Sequence, residues 1–423
     1  MLNHFNFVRR LFVITVIVAT LGASLQLYTS NKVYAERLVN VSNTEELTEA
    51  IAEAVSGDTI VLADGTYSAE EYIHIQDKHG TANDPIRIVA LNQGKAVIAG
   101  DLWFKVEDSS YIIIDGLTFT TNGNVGNKAV YLLNTEYCRI TNSHFVLNES
   151  VSATNSLEWV LIEGDQSGYN RVDHSLFENK KQRGQFVTIK GSVTASVYNQ
   201  IDHNRFRDMR ITGENGTEAV KLGNGSNGNW SYAYTLLEHN LFERCDGEEA
   251  EMISIKSGGN IIRYNTIVET AGGIVFRRGN GNEAYGNYFF GNGKTNTAGI
   301  RIHGEDHQVY NNYFEGLGGV SSRAAMVIGT GASDGSYNPV RNVLVANNTF
   351  VENRRSLHIA LDGDLANRTL PEDTVISNNI VYASGSSKRL VTEVVYSPDV
   401  VWEGNIMYEA NSAVLGASKT SGE

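Results

Sequence analysis

Cysteine is nearly absent from this 423-residue sequence, which contains only Cys138 and Cys245. Two thiols cannot build a disulfide framework in a chain of this length, so a hydrophobic core must hold the fold together. The two cysteines also fall at different phases of the internal repeat described below. The sequence therefore predicts two buried free thiols and no disulfide.

Positive charge is also scarce. Lysine and arginine together number 34, against 48 aspartates and glutamates, and the formal net charge is −14. This acidic balance argues against nucleic acid as a partner. It is compatible with an acidic polymer, provided that the positive side chains are gathered on one surface.

Proline occurs only four times, no linker-like tract interrupts the chain, and the only long apolar run stands at the N-terminus. This run, HFNFVRRLFVITVIVATLGASL, has the basic start of a secretory signal peptide, and KVYA predicts cleavage after Ala35. A retained N-terminal anchor is the alternative. We expect residues 36–423 to form a single secreted domain without membrane contact, and no pattern predicts its oligomeric state.

A short motif recurs along the chain at steps of 22 to 36 residues. Its sixth position is apolar in all ten copies, and its fourth position is asparagine in eight of them. A fixed strand core with variable loops indicates a solenoid whose coils stack at ~4.8 Å. Stacked asparagines can hydrogen-bond along the axis and accept the backbone of tight turns. We therefore predict an all-β, right-handed, single-stranded parallel β-helix rather than a β-propeller, whose blades repeat more regularly. The copies are ITNSHF, VDHSLF, IDHNRF, LEHNLF, IRYNTI, AYGNYF, VYNNYF, VANNTF, ISNNIV and WEGNIM.

The segment before the first strands, SNTEELTEAIAEAV, is typical of a helix. Ser42 and Glu45 match a capping box, and the amphipathic pattern runs to about Val55. A short N-terminal helix would shield the open edge of the first coil.

A second strand in successive coils ends at or near glycine: VTIKG, AVKLG, SIKSG, VFRRG and RIHG. If their aliphatic residues face the core, the intervening charged residues point outward in one column. We expect this column to form an electropositive groove for an extended polyanion. Its members are Lys190, Lys221, Lys256, Arg277 and His303, with Glu163 one coil earlier and Arg301 on the face of His303.

The stretch GEEAEMISIKS, residues 247–257, places oxygen ligands beside this column. Glu249 and Glu251 share the parity of the core isoleucines, so on one straight strand both carboxylates would be buried. The chain should therefore bend before Ile253, which turns both carboxylates outward with Lys256. Asn215 occupies the corresponding turn one coil earlier, and such a set of hard oxygen ligands suits Ca²⁺.

The successive motifs NGTEAVKLG, EAEMISIKS, GGIVFRRGNGN and GIRIHGEDHQVYNNYF resemble those of polysaccharide lyase family 6, which contains alginate lyases and chondroitinase B. The resemblance covers nearly the whole chain after the leader. It implies calcium ligation by Asn215, Glu249 and Glu251, with Lys256 as base and Arg277 as acid. Arg278 stands where the family motif often has histidine. We expect the substrate contacts to include Lys190, Lys221, Arg278, Arg301, His303 and His307.

The implied chemistry agrees with these residue types. Removing the weakly acidic C5 proton of a uronate creates negative charge next to its carboxylate, and a bound cation stabilises this charge. A lysine base must first lose its own proton, which neighbouring positive charge favours. Because a guanidinium is a poor proton donor, Arg277 is better suited to stabilising the leaving oxygen.

Three alternatives stay open at this point. Alginate is the preferred substrate, and dermatan sulfate is the second choice. A β-helical glycan hydrolase would need two or three carboxylates on the outer face, where this chain is basic instead. A non-catalytic glycan-binding solenoid would need the cationic column but not the glutamate pair.

Overall fold

The computed structural model describes residues 37–123, 128–149, 156–210, 212–213, 215–224, 231–363 and 365–411. The described residues from Leu38 onward belong to one compact unit. The predicted signal peptide lies outside the described residues and stays a prediction. Within these ranges, no helix has the length and apolar character needed to cross a membrane.

Three long parallel sheets run along the described part of the molecule, and each complete coil contributes one strand to each sheet. The chain is a right-handed parallel β-helix, as the repeat predicts. Within the described residues, the first sheet has 14 strands. They are Leu38–Val41, Thr59–Leu62, Ile86–Ala90, Ile112–Asp115, Arg139–Thr141, Arg171–Asp173, Gln200–Asp202, Leu236–Glu238, Ile261–Arg263, Glu283–Tyr285, Gln308–Tyr310, Arg341–Ala346, Glu372–Ser377 and Val400–Glu403.

The second sheet has 13 strands among the described residues. They are Gly65–Ala69, Ala96–Gly100, Thr118–Phe119, His144–Phe145, Leu176–Glu178, Arg205–Met209, Leu241–Cys245, Thr266–Val268, Tyr288–Phe290, Tyr313–Glu315, Thr349–Val351, Ile380–Ser384 and Ile406–Ala410.

The third sheet has 12 strands in the described part of the chain and carries the candidate site. They are Ile73–Gln76, Phe104–Glu107, Val130–Leu133, Val160–Glu163, Val187–Lys190, Val220–Leu222, Glu251–Lys256, Gly272–Arg278, Thr297–Ile302, Met326–Ile328, Arg355–Ile359 and Arg389–Glu393. A small antiparallel pair, Gly331–Ala332 with Arg368–Thr369, and a 3₁₀ turn, Ser321–Arg323, lie outside the three sheets.

The repeat motif accounts for the core and for one of its corners. Its sixth residue lies inside the solenoid, where phenylalanines from successive coils stack with ring centroids 4.3–4.9 Å apart, as from Phe145 to Phe177 and Phe206. Its fourth residue forms the predicted asparagine ladder. Asn265 donates from Nδ2 to Oδ1 of Asn287 at 3.0 Å, and the same bond recurs from coil to coil. Each buried amide is thereby satisfied by its neighbour.

The N-terminal helix is present as Thr44–Glu53. Its cap differs by one residue from the predicted box at Ser42 and Glu45. The side chain of Asn43 accepts the backbone N–H of Glu46 at 2.9 Å, and Glu46 reaches back to the N–H of Ser42 at 2.7 Å. Asparagine and serine are equally good N-cap residues, so the sequence alone could not distinguish Ser42 from Asn43 as the cap. Leu47, Ala50 and Ile51 of the helix join the core at this end.

Both cysteines are buried and free, as the sequence predicts.

Candidate active site

The two glutamates of the predicted site lie where a turn enters a strand of the 12-stranded sheet. Glu249 is on the turn, with φ of 63°, and Glu251 begins the strand. A register shift falls between Glu251 and Ile253 relative to the next strand. This bulge inserts one residue and reverses the parity, so Glu251 faces the same side as Ser254 while Ile253 stays in the core. The parity conflict is thus resolved by a bulge inside the strand, whereas the predicted turn after Glu251 and its outward, exposed carboxylate are wrong, since Glu251 is within the strand and buried.

Contacts from distant coils hold Glu249 in its left-handed conformation. Nε of Arg323 donates to the backbone carbonyl of Glu249 at 2.6 Å. Nδ2 of Asn296 donates to Oε1 of Glu249 at 2.9 Å. Because a non-glycine residue at positive φ is strained, these contacts offset part of that cost.

Glu251 lies under the groove and binds two arginines. Its Oε1 accepts from Nη2 of Arg301 at 2.8 Å and lies 3.6 Å from Nε of Arg277. Its Oε2 accepts from Oγ of Ser254 at 2.6 Å. Glu251 thus joins two of the predicted site residues, although Arg301 itself is only 8% exposed.

Lys256 ends the strand that Glu251 begins. Its side chain is 20% exposed, and Nζ lies 3.6 Å from Oε1 of Glu218. The side chain of Glu218 is buried, its Oε2 accepts from Nε2 of Gln185, and its Oε1 has no hydrogen-bond partner in the described structure. A buried carboxylate oxygen is therefore directed at the predicted base.

Arg277 is placed by a second bulge. Ile255 pairs with Phe276 and Lys256 pairs with Arg278, so Arg277 is the extra residue between them. Nη1 of Arg277 donates to the carbonyl of Ser336 at 2.6 Å, and the guanidinium lies 4.1 Å from the ring centroid of Tyr337. Arg278 is thus the direct neighbour of Lys256 in the sheet, while Arg277 is held between Glu251 and a later loop.

The single predicted column of positive side chains is wrong. Lys221 is in register with Thr188 and Ser254, so it lies two residues before the position that Lys190 and Lys256 occupy. The lysines therefore form two parallel rows on one face. The strands enter the sheet at different positions, and this causes the two-residue offset of Lys221. Aligning the strands by the glycine near their ends, as the sequence prediction did, could not reveal it.

Carboxylates neutralise part of this positive face. Lys190 lies 3.5 Å from Glu163, as Lys256 does at 3.6 Å from Glu218. Burial lowers the pKa of Lys221 and the nearby Lys256 lowers it further, while Glu218 opposes both effects. The face is therefore a chain of ion pairs with excess positive charge at Lys221 rather than a continuous basic strip.

Two predicted substrate contacts are contradicted by burial. His307 is fully buried; its Nδ1 accepts from the N–H of Asn282 at 3.0 Å, and its Nε2 bonds the carbonyl of His303 at 3.1 Å. His307 is the next member of a second hydrogen-bonded ladder of side chains, which runs from Asn260 to Asn282 and then to His307. Burial lowers the pKa of His307 to about 4. His303 is 3% exposed beneath the ring of Tyr337. Burial, followed by nearby Arg301 and Arg277, lowers the pKa of His303 well below its ordinary value.

Negative charge is crowded beside Lys256. Glu248 accepts the N–H of Gly216 at 2.9 Å, and its pKa is raised to about 7 by burial and then by the charges of Glu218 and Glu251. Such mutual repulsion among oxygen donors fits the neighbourhood of a bound cation. Within the described ranges, no three histidine, cysteine, aspartate or glutamate side chains are arranged to hold a metal ion.

The predicted ligand set contains only two carboxylates and one asparagine. Asn215 is exposed, and its backbone carbonyl accepts from Nη2 of Arg183 at 2.7 Å. Glu249 lies on the turn and Glu251 at the strand start, and the contact of Glu251 with Ser254 puts its carboxylate on the Lys256 side of the sheet. Their oxygen chemistry fits a calcium ion.

The sequence could have revealed Glu218 but not the other supporting residues. Glu218 has the parity of the core residues Val220 and Leu222, so a regular strand would direct its carboxylate into the core. The same conflict between parity and charge marked Glu251 as a candidate site residue. Ser336 and Tyr337 come from a loop several coils away, and no spacing rule relates them to Arg277. Arg323 and Asn296 were missed for the same reason.

The chain is thus a parallel β-helix that gathers lysine, arginine and glutamate side chains on one outer face of its 12-stranded sheet. A family model described as Chondroitinase B matches residues 41–420, and the chain belongs to that family. No curated protein matches the chain.

Solved structures agree with this assignment. AlyGC, a PL6 family alginate lyase, is 28% identical with a TM-score of 0.81, covering 91% of this chain and 52% of its own. This chain therefore spans about half the length of AlyGC. The PL6 family polysaccharide lyase Pedsa3628 from Pseudopedobacter saltans is 25% identical with a TM-score of 0.72, covering 88% and 92%. A mannuronic acid specific family 6 lyase from human gut microbiota is 27% identical with a TM-score of 0.70, covering 86% and 82%.

Proposed function

We propose that this protein is a secreted lyase that cleaves a uronate polymer, with alginate as the first choice, by calcium-assisted β-elimination. The observation that carries the proposal is the arrangement of Lys256, Arg277 and Glu251 on one outer face of the β-helix, in a chain of the chondroitinase B family. Alginate lyases among the similar structures support the choice of substrate. The N-terminal leader supports secretion.

The elimination requires a base, charge stabilisation and a leaving oxygen. Nζ of Lys256 takes the proton from C5, the electrons of that bond form the C4–C5 double bond, and the C4–O bond breaks with its pair going to oxygen. Arg277 faces the departing oxygen and stabilises its charge. Water or the protonated Lys256 then delivers a proton to that oxygen, because a guanidinium is a poor acid.

Glu218 stabilises Lys256 after the lysine has taken the C5 proton of the substrate. Nζ of Lys256 lies 3.6 Å from the buried Oε1 of Glu218, which has no other partner in the described structure. The ammonium formed by proton transfer is therefore stabilised where it forms. This parallels the way in which a buried carboxylate supports the protonated base in a catalytic triad.

We propose Asn215, Glu249 and Glu251 as the residues that hold Ca²⁺. When bound, the ion would act as a Lewis acid on the substrate carboxylate and stabilise the negative charge that follows loss of the C5 proton. Burial, followed by the nearby charges of Glu218 and Glu251, raises the pKa of Glu248 to about 7, and such a group of carboxylates supports a cation in this neighbourhood.

Dermatan sulfate is the second candidate substrate, and the description of the matching family model favours it. A third candidate, from another class, is a protein that binds acidic glycans without cleaving them. The ion pairs that neutralise much of the groove make this third function less favourable, because binding alone would gain from free positive charge.

One experiment separates these candidates. The protein is incubated with alginate and with dermatan sulfate, with and without a chelator, and the ultraviolet absorbance of unsaturated uronate ends is followed. We expect absorbance with alginate that Lys256→Ala abolishes and that Lys95→Ala, an exposed lysine just before the strand Ala96–Gly100 of the 13-stranded sheet, retains. Binding without absorbance would refute the lyase function, and saturated new ends would indicate hydrolysis. Full activity after thorough demetallation would remove the role of calcium.

A further inference from the structure

The outer face of the 12-stranded sheet changes character next to Arg277. One row of outward positions contains Glu107, Glu163, Lys190 and Lys256, whose side chains are 19–25% exposed. Beyond the Arg277 strand, the same row continues with His303, which is 3% exposed. The groove is therefore open over the earlier coils and covered over the later ones.

Two insertions cover the later coils. Gly331–Ala332 pairs with Arg368–Thr369 in a small antiparallel sheet that lies outside the solenoid wall. Residues 331–339 and 368–369 are called the end wall here. The Tyr337 ring of the end wall lies 4.5 Å from the His303 ring, centroid to centroid. A histidine that occupies a groove position is thereby removed from solvent.

The end wall is closely packed at the residues where it joins the sheet. A Cβ on Gly331 would lie 2.9 Å from Pro339, and a Cβ on Gly329 would lie 2.2 Å from the His303 ring. Behind the wall, Ala324, Val327 and Leu361 form a separate buried apolar cluster on the outer side of the sheet.

The end wall also reaches the catalytic centre. The carbonyl of Ser336 accepts from Nη1 of Arg277 at 2.6 Å, and the Tyr337 ring lies 4.1 Å from the guanidinium. Since the strand of Arg277 pairs directly with that of Lys256, the wall begins one coil beyond the base. In the other direction, the open row from Lys256 back to Glu107 crosses five strand steps, about 24 Å.

We propose that the end wall closes the groove at Arg277, so that the protein cuts its polymer close to a chain end and releases short products. This inference rests on the proposed lyase function. A polymer bound in the open groove would place several sugars over the earlier coils. Beyond the bond at Lys256 and Arg277, the wall leaves room for only a short piece, which becomes the product.

The test follows product length and viscosity together during digestion of long alginate. We expect products no longer than about three sugars in the earliest samples, measured by mass, and a slow fall in viscosity for each double bond formed. Early products of broad intermediate length with a steep fall in viscosity would overturn the end-wall proposal alone. Failure to form double bonds in any uronate polymer would overturn the proposed function and this inference with it.

Two variants test whether the wall is the cause. Tyr337→Ala and Arg368→Met each remove part of the wall, whereas Tyr288→Ala removes an exposed tyrosine from the 13-stranded sheet as the matched control. We expect at least one wall variant to raise the early share of products longer than a trisaccharide several-fold, while Tyr288→Ala leaves it unchanged. Unchanged product lengths in both folded wall variants would overturn the assignment.

Discussion

The asparagine ladder provides the sharpest stability prediction, because each amide has several partners. Nδ2 of Asn265 donates to the carbonyls of Leu237 and Arg263 at 2.9 and 3.0 Å, and to Oδ1 of Asn287 at 3.0 Å. Its Oδ1 accepts from the backbone N–H and from Nδ2 of Asn240, both at 3.0 Å. Asn265→Ala removes all five bonds in a place that solvent does not reach.

The loss can be estimated from those contacts. A net contribution of about 1 kcal/mol for each hydrogen bond, with an added cost for buried groups left unpaired, predicts a destabilisation of about 3–5 kcal/mol. Urea denaturation followed by circular dichroism measures it. Asn148→Ala is the matched control, since the exposed Asn148 donates one side-chain bond, to Oδ1 of Asn122 at 3.0 Å, and should cost less than about 1 kcal/mol. Equal effects of the two substitutions would refute the reasoning.

Three further predictions concern titratable groups. Burial lowers the pKa of His307 to about 4, so its contribution to the free energy of unfolding should be complete above the unfolded pKa and should be lost as the pH falls toward 4. In urea titrations, His307→Asn should reduce the loss of stability between neutral pH and pH 4 by up to roughly 3 kcal/mol. A loss of stability equal to that of the wild type would contradict this prediction. Glu218→Gln should lower the initial rate of double-bond formation about tenfold, because it removes the buried carboxylate that lies 3.6 Å from Nζ of Lys256, whereas Glu163→Gln should leave the rate nearly unchanged; equal rates for the two variants would contradict this role. Burial raises the pKa of Cys138 to about 12, so a thiol reagent at neutral pH should label neither cysteine before unfolding, and rapid native labelling would count against this burial.

The fold was predictable because each coil repeats the same physical solution. An apolar residue at the sixth position and an asparagine at the fourth recur in sequence, and the structure uses them as the Phe145–Phe177 stack and the Asn265–Asn287 ladder. The parity conflict at Glu251 likewise predicted a bend, which the structure realises as a bulge. The alternation of apolar and polar residues along a strand therefore predicts which side chains face the core and where the strand is irregular.

The wider site was not predictable by the same means. The offset of Lys221 from Lys256 depends on where each strand enters the sheet, and the bulge at Arg277 changes the count once more. The cover over His303 comes from Tyr337, which is held by an insertion rather than by the repeat. A repeat describes what successive coils share, whereas this site is built from the places where they differ.

The most direct measurement of the central claim is the formation of unsaturated uronate ends from alginate by the wild-type protein and by Lys256→Ala, at equal concentrations of folded protein and with calcium present. We expect a steady rise in ultraviolet absorbance for the wild type and at least a thousandfold lower initial rate for the variant, roughly the loss that follows removal of a general base. A variant that forms double bonds at the wild-type rate would contradict the assignment of Lys256 as the base.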